Sequence, residues 1–179
     1  MTDTDNKATL YQQTARSAAT VLDHLTEIET MIGELQHRIG ELPFFARGFV
    51  SSQVTKGTGQ DIPVWGKTIA TLTTTLRQVR EAAGRDEGTG AAPSGDDRAL
   101  YGAARARVDG DRPRLERLAA FMESVPSKLG AVPPGLLPAD QRAEFLATVA
   151  RQTAALRGAI AEMPALSAKL AAISDQPSA

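Results

Sequence analysis

Few residues in this chain are placed to do covalent chemistry. Gly66-Lys67-Thr68 stands before a helical segment, the order in which a phosphate-binding loop ends. In such a loop backbone N–H groups cradle phosphate, the lysine reaches it and the hydroxyl holds a divalent cation. The complete loop needs a glycine five residues before Gly66, and Asp61 stands there. An acid at that place repels phosphate, and no buried strand is readable before it. The triplet therefore reads as structure, with Gly66 making a turn and Thr68 helping to start the next helix. His24 and His37 are the only histidines and the chain has no cysteine. Thiolate nucleophiles, disulfides and cysteine-based zinc sites are excluded, and a His-rich metal site is out of reach within one chain. Glu27, Glu29 and Glu34 read as a solvated helix face.

A second candidate is basic. Arg98, Arg105, Arg107, Arg112, Arg114 and Arg117 crowd one segment, but Asp96, Asp97, Asp109, Asp111 and Glu116 are interleaved with them. Alternating signs of this kind mark a salt-bridged, exposed helix rather than a phosphate-binding stripe. The formal net charge of −1 argues the same way against a general nucleic-acid binder. These readings imply no catalytic residues, no cofactor and no metal, and hence a protein that is not an enzyme.

The elements that position these residues are helical. Ala18, Val21, Leu25, Ile28, Ile32, Leu35, Ile39 and Leu42 step by three and four, an apolar heptad seam. It predicts a helix over 7–42, ended by Pro43. Gly33 and Gly40 fall off the seam and read as surface glycines. Ile69, Leu72, Leu76, Val79 and Ala83 predict a second helix over 67–83, against the poor propensity of Thr71, Thr73, Thr74 and Thr75. Tyr101, Ala104, Val108, Leu115, Leu118, Met122, Val125 and Leu129 share one frame, with Asp111 in a seam position. Asp109-Gly110-Asp111-Arg112-Pro113 predicts a kink or a break there, and Pro126 a second one. Leu146, Val149, Thr153, Leu156, Ile160, Met163, Ser167 and Leu170 predict a last helix, bent or split at Pro164.

The expected fold is all-α: an elongated bundle of long, heptad-patterned antiparallel helices in two helical hairpins. Residues 1–84 form the first hairpin and 98–174 the second. The Gly-, Ser- and Asp-rich stretch 85–97 is expected to be a flexible linker, and 175–179 a frayed tail. Residues 1–42 carry seven acids and three bases, whereas 43–85 carry six bases and two acids. That opposition favours antiparallel pairing of the first two helices. Hydrophobic residues make up 42% of the chain but aromatics only 4%, which suits close-packed helices built from Leu, Ala, Val and Ile.

Four of the eight aromatics fall in the connection 43–66, a Gly-containing stretch expected to be an apolar loop, with a short helix around 43–52 as the alternative. Because connections are normally polar, Phe44, Phe45, Phe49, Val64 and Trp65 are the candidate partner-binding residues; the alternative is that the segment folds back and caps the bundle. The expected function is a non-enzymatic protein–protein interaction module: an adaptor, scaffold or assembly component. A protein partner is expected, including another copy of the chain paired through heptad faces, with no nucleic acid and no membrane span. The alternatives are a secreted or translocated bacterial helical-hairpin substrate, and a bundle sensor that binds a small apolar ligand using Phe44, Phe49, Trp65 and Tyr101. The polar N-terminus lacks the layout of a signal peptide, which points to the cytoplasm. Arginine outnumbers lysine fifteen to five, the usage of a GC-rich bacterial genome.

Overall fold

The computed structural model describes residues 3–41, 44–89, 93–130 and 139–176. Five α-helices account for nearly all of them: α1 Asp3–Glu41, α2 Phe44–Thr58, α3 Ile62–Thr89, α4 Gly95–Gly130 and α5 Ala139–Ser174. There is no strand among the described residues. The protein is all-α.

α1, α3, α4 and α5 form a four-helix bundle. α1 packs on α3 and α5, and α4 packs on the same two helices, so α1 and α4 lie diagonally across the core. Side-chain contacts fix the directions. Gln36 of α1 donates to the Ile62 carbonyl of α3, and Arg85 of α3 pairs with Asp97 of α4. Glu123 of α4 meets Arg157 of α5, and Arg105 of α4 meets Asp175 just past the end of α5. Lys169 of α5 donates to Ser17 of α1. Every neighbouring pair is therefore antiparallel. One end of the bundle collects the C-terminus of α1, the start of α3, the end of α4 and the start of α5. α2 crosses that end and packs mainly on α4.

The α1 seam does what its spacing predicts. Ala18, Val21, Leu25 and Ile28 are fully buried and Ile32 nearly so, while Leu35 and Ile39 are partly buried against the core; Leu42 lies outside the described residues. Val149, Leu156 and Ile160 of α5 are buried as well. Burying each such aliphatic side chain contributes about 1.5–3 kcal/mol. That is how the threonine-rich run of α3 stays helical: Leu72 and Leu76 are sealed. The hydroxyls of Thr71, Thr74 and Thr75 are bonded to carbonyls four residues back, at 2.7–2.9 Å.

Four expectations are corrected. Helix α3 begins at Ile62 and ends at Thr89, wider than 67–83 on both sides. The stretch 85–97 is therefore mostly helix rather than linker, since α4 already starts at Gly95. Ser94 caps α4, accepting from the Asp97 N–H at 3.1 Å while its hydroxyl donates to the Asp97 carboxylate at 2.6 Å. The connection 43–66 is not a loop, because α2 occupies 44–58. At the proline sites the break and split alternatives are the ones overturned: α4 continues through Pro113 and Pro126, and α5 through Pro164. An interior proline costs a helix roughly 3 kcal/mol, and here it is offset by burial on either side. Val108, Leu115 and Leu118 flank Pro113, and Met163 and Leu166 flank Pro164. Asp111, 2% exposed in its seam position, adds ion pairs with Arg107 at 2.6 Å and Arg114 at 3.0 Å that bracket Pro113.

Glycines divide into two kinds. A side chain at Gly57 would run into the Phe121 ring, and one at Gly66 would meet Gln36 at 2.9 Å and Ile32 at 3.5 Å. These glycines mark where helices touch. Gly33 and Gly40 face open space. Gly33→Ala should therefore stabilise the protein by about 0.5–1 kcal/mol, the helix-propensity difference. Gly57→Ala and Gly66→Leu should instead destabilise it, by about 1–3 kcal/mol. Urea unfolding followed by circular dichroism measures all three; a stabilising Gly57→Ala would contradict the packing described.

Candidate functional site

Beyond the core, the structure concentrates unusual features at the two ends of the bundle. The α2 end is built around a turn. Gly59, the only described residue with a positive φ (79°), closes α2, its N–H bonded to the Thr55 carbonyl at 2.8 Å. Asp61 then caps α3, its carboxylate accepting the Val64 N–H at 2.9 Å. The turn is thus made by Thr58 to Asp61. Gly66 and Thr68 lie inside α3, so Gly66-Lys67-Thr68 is neither a turn nor a phosphate loop.

Thr58 is the node of this end. Its buried hydroxyl accepts from Trp65 Nε1 at 2.9 Å and lies 2.9 Å from the Val54 and Gln60 carbonyls. Trp65 is 1% exposed and belongs to the core. This corrects its place among the candidate partner-binding residues: a ring sealed under α2, with its only polar atom satisfied, cannot present itself to a partner. Phe121 of α4 lies against the backbone at Gly57, with the Lys128 ammonium 4.6 Å from its ring centroid. Between these groups is an apolar cavity of about 60 Å³, lined by Met31, Leu35, Val54, Trp65, Phe121 and Met122 among others.

The other half of α2 is different. Phe44 is 90% exposed and Phe49 66%, and Val64 on the first turn of α3 is 45% exposed. Phe45 is in α2, but its side chain lies outside the described residues. The structure thus divides the candidate set: Phe44, Phe49 and Val64 face solvent, and Trp65 anchors the helix that carries two of them. Phe145, 44% exposed near the start of α5, is at the same end of the bundle and had no signal in the sequence beyond its type.

The opposite end is polar. Tyr11 of α1 and Tyr101 of α4 stack across the core with ring centroids 6.5 Å apart. The Tyr101 hydroxyl donates to Asp86 of α3 at 2.8 Å. Burial, together with that bond to a carboxylate, pushes the Tyr101 phenol well above its ordinary range. Burial also raises the Asp86 carboxyl, with Asp97 adding to the effect and the Tyr101 hydroxyl and Arg85 opposing it. Beside this cluster is an open groove of about 720 Å³ between the start of α4 and the end of α5. Small residues (Gly95, Ala99, Gly102, Ala106) leave it room. Within it Arg105 lies 3.9 Å from Asp109 and 3.7 Å from Asp175.

The remaining sequence candidates find structural places. Arg107 and Arg114 pair with Asp111, and Arg112 with Glu116. His24 packs its imidazole over Gly158 of α5. Glu34 and His37 are one Glu-x-x-His step of the kind that di-iron bundles use in pairs. Both are exposed on α1, away from the core. Among the described residues no three His, Asp or Glu side chains are grouped to hold a metal. None of the helices among the described residues is long and apolar enough to cross a membrane. Tyr101 and Trp65 stand at opposite ends, so the pocket that would have joined them does not form.

The raised carboxyl of Asp86 has a signed consequence. Its folded pKa lies above its unfolded value, so the folded state holds its proton more tightly. Its contribution is most favourable below the unfolded pKa, about 3.9, and is lost as the pH rises through the folded one. Asp86→Asn keeps an acceptor for Tyr101 and removes the charge. The variant should melt higher than the wild type at pH 7, and the gap should close near pH 4. A gap that is constant with pH, measured by thermal melts at both values, would show that burial is not acting on the charge.

The chain matches no protein-family model, no curated protein and no solved structure.

Proposed function

We propose that this protein is a non-enzymatic helical interaction module of the cytoplasm, an adaptor or assembly component, and that α2 carries its binding surface. The observation behind this reading is the division of α2. Its C-terminal half is anchored by Val54, Thr58 and Gly57, while Phe44 and Phe49 project from the other half at 90% and 66% exposure. Phenylalanines left in water on an anchored helix lose burial energy that a partner would recover, about 1.5–3 kcal/mol per ring. Aromatic residues held on a rigid support are also what binding hot spots are made of. The apolar-ligand alternative is less favoured. The cavity under α2, about 60 Å³, is far smaller than the roughly 300–1,000 Å³ of ordinary ligand sites.

The double variant Phe44→Ser, Phe49→Ser tests this reading beside Trp65→Ser. The first should keep the melting temperature within a few degrees and lose association with whatever the wild type captures from its native cell extract. Trp65→Ser should instead lower stability by about 3–5 kcal/mol, as core truncations of large aromatics do. Capture that survives the loss of both phenylalanines would place the surface elsewhere.

A further inference from the structure

The reading above leaves the occupant of the α2 surface open, and two charge patterns at this end of the bundle narrow it. The first is on α2. Between Phe44 and Thr58 there are two bases, Arg47 and Lys56, and no acid. Phe49 and Lys56 are seven residues apart, hence on one face of the helix, and both are exposed. The second is on the C-terminal half of α1. From Asp23 to Glu41 there are five acids against one base, Arg38. Glu27, Glu34 and Glu41 recur at seven-residue intervals and are all exposed, so they form one acidic row along the helix.

Resting on that interaction reading, we infer that the partner of the α2 surface is a second copy of this chain. A two-fold axis through the α2 end would set each α2 face against the acidic row of the other chain's α1. Every contact in such an interface is made twice, which a self-complementary surface requires. Basic and aromatic groups on α2 and an acidic row on α1, the helix that precedes it in the chain, supply both halves of the match. The same row argues against an anionic lipid surface, because Glu34 and Glu41 stand at the end of the bundle that would have to approach it. Size is adequate for a reversible dimer. Four phenylalanine rings, two from each chain, bury up to about 600–1,000 Å², approaching the roughly 1,200 Å² of small specific interfaces.

Sedimentation velocity on the full chain between about 1 and 200 μM tests this. A dimer is expected, with an affinity that falls several-fold as salt rises and screens the opposed charges. Phe44→Ser with Phe49→Ser should leave a monomer with an unchanged helical spectrum. Lys56→Glu should weaken the dimer about tenfold or more, and adding Glu34→Lys to that variant should recover most of the loss. Lys56 is exposed, so this pair decides the matter even if the phenylalanine variant fails to fold. A wild type that stays monomeric over the whole range overturns the inference, as does a dimer indifferent to both sets of changes. If the monomer instead captures a different protein, or sediments with phosphatidylserine vesicles, through Phe44 and Phe49, the second copy is wrong. In the first of those cases the interaction reading stands; in the second it falls too.

Discussion

The bundle depends on the burial of one face of α1 between α3 and α5. An isolated helix of 39 residues would extend about 58 Å, and most of its stability would have to come from tertiary packing. α1 finds that packing on two sides at once, with Val21, Leu25 and Ile28 fully sealed. Because α4 faces α1 only across the core, as in the Tyr11–Tyr101 stack, α3 and α5 carry the connection between the diagonal pair. Close approach is possible because glycines stand where the helices meet, Gly66 against α1 and Gly158 under His24.

Large side chains are few, and their places show how the ends of a narrow bundle are closed. Each end sets the polar tip of a buried aromatic against a polar group that satisfies it. Trp65 Nε1 meets the Thr58 hydroxyl at one end, and the Tyr101 hydroxyl meets Asp86 at the other. The two closures differ in charge. Thr58 is neutral and fully buried, whereas Asp86 is an acid whose burial opposes ionisation. Asp111 is a third polar group in an apolar seam, held between two arginines beside a proline. Buried charges seldom add net stability over a well-packed apolar residue; here the pairing spans a site where the proline removes a backbone hydrogen bond.

What remains outside these closures is the first half of α2. Its helix is anchored where it touches the bundle and bare where it does not. The same end carries partly buried Leu35, Ile39, Phe121 and Val125. Apolar exposure is therefore concentrated there, while at the opposite end Arg85 pairs with Asp97 and Arg105 with Asp109 and Asp175. That asymmetry is the basis for placing an interaction surface at α2 rather than in the larger groove at the other end, which exposes no large apolar side chain among the described residues.

Period and composition by themselves determined the helical class and the buried faces. The three-four spacing of Val21, Leu25 and Ile28, or of Leu72, Leu76 and Val79, identifies residues that turn up sealed, because helix geometry puts such positions on one side whatever lies opposite. The alternation of arginine with aspartate around α4 likewise foretold ion pairs, since charges three and four apart are neighbours on any helix. Only the tertiary structure decided the rest. Local propensity reads Gly48, Gly57, Pro113 and Pro164 as breaks, but contacts from outside each segment outweigh it: Phe121 on Gly57, sealed neighbours around Pro113 and Pro164. The fate of the aromatics was likewise not legible. Val64 and Trp65 are adjacent in sequence, yet one is half in water and the other in the core, because successive helix positions point about 100° apart. Which of them faced inward depended on where α2 came to rest against Phe121 of α4, a residue far along the chain.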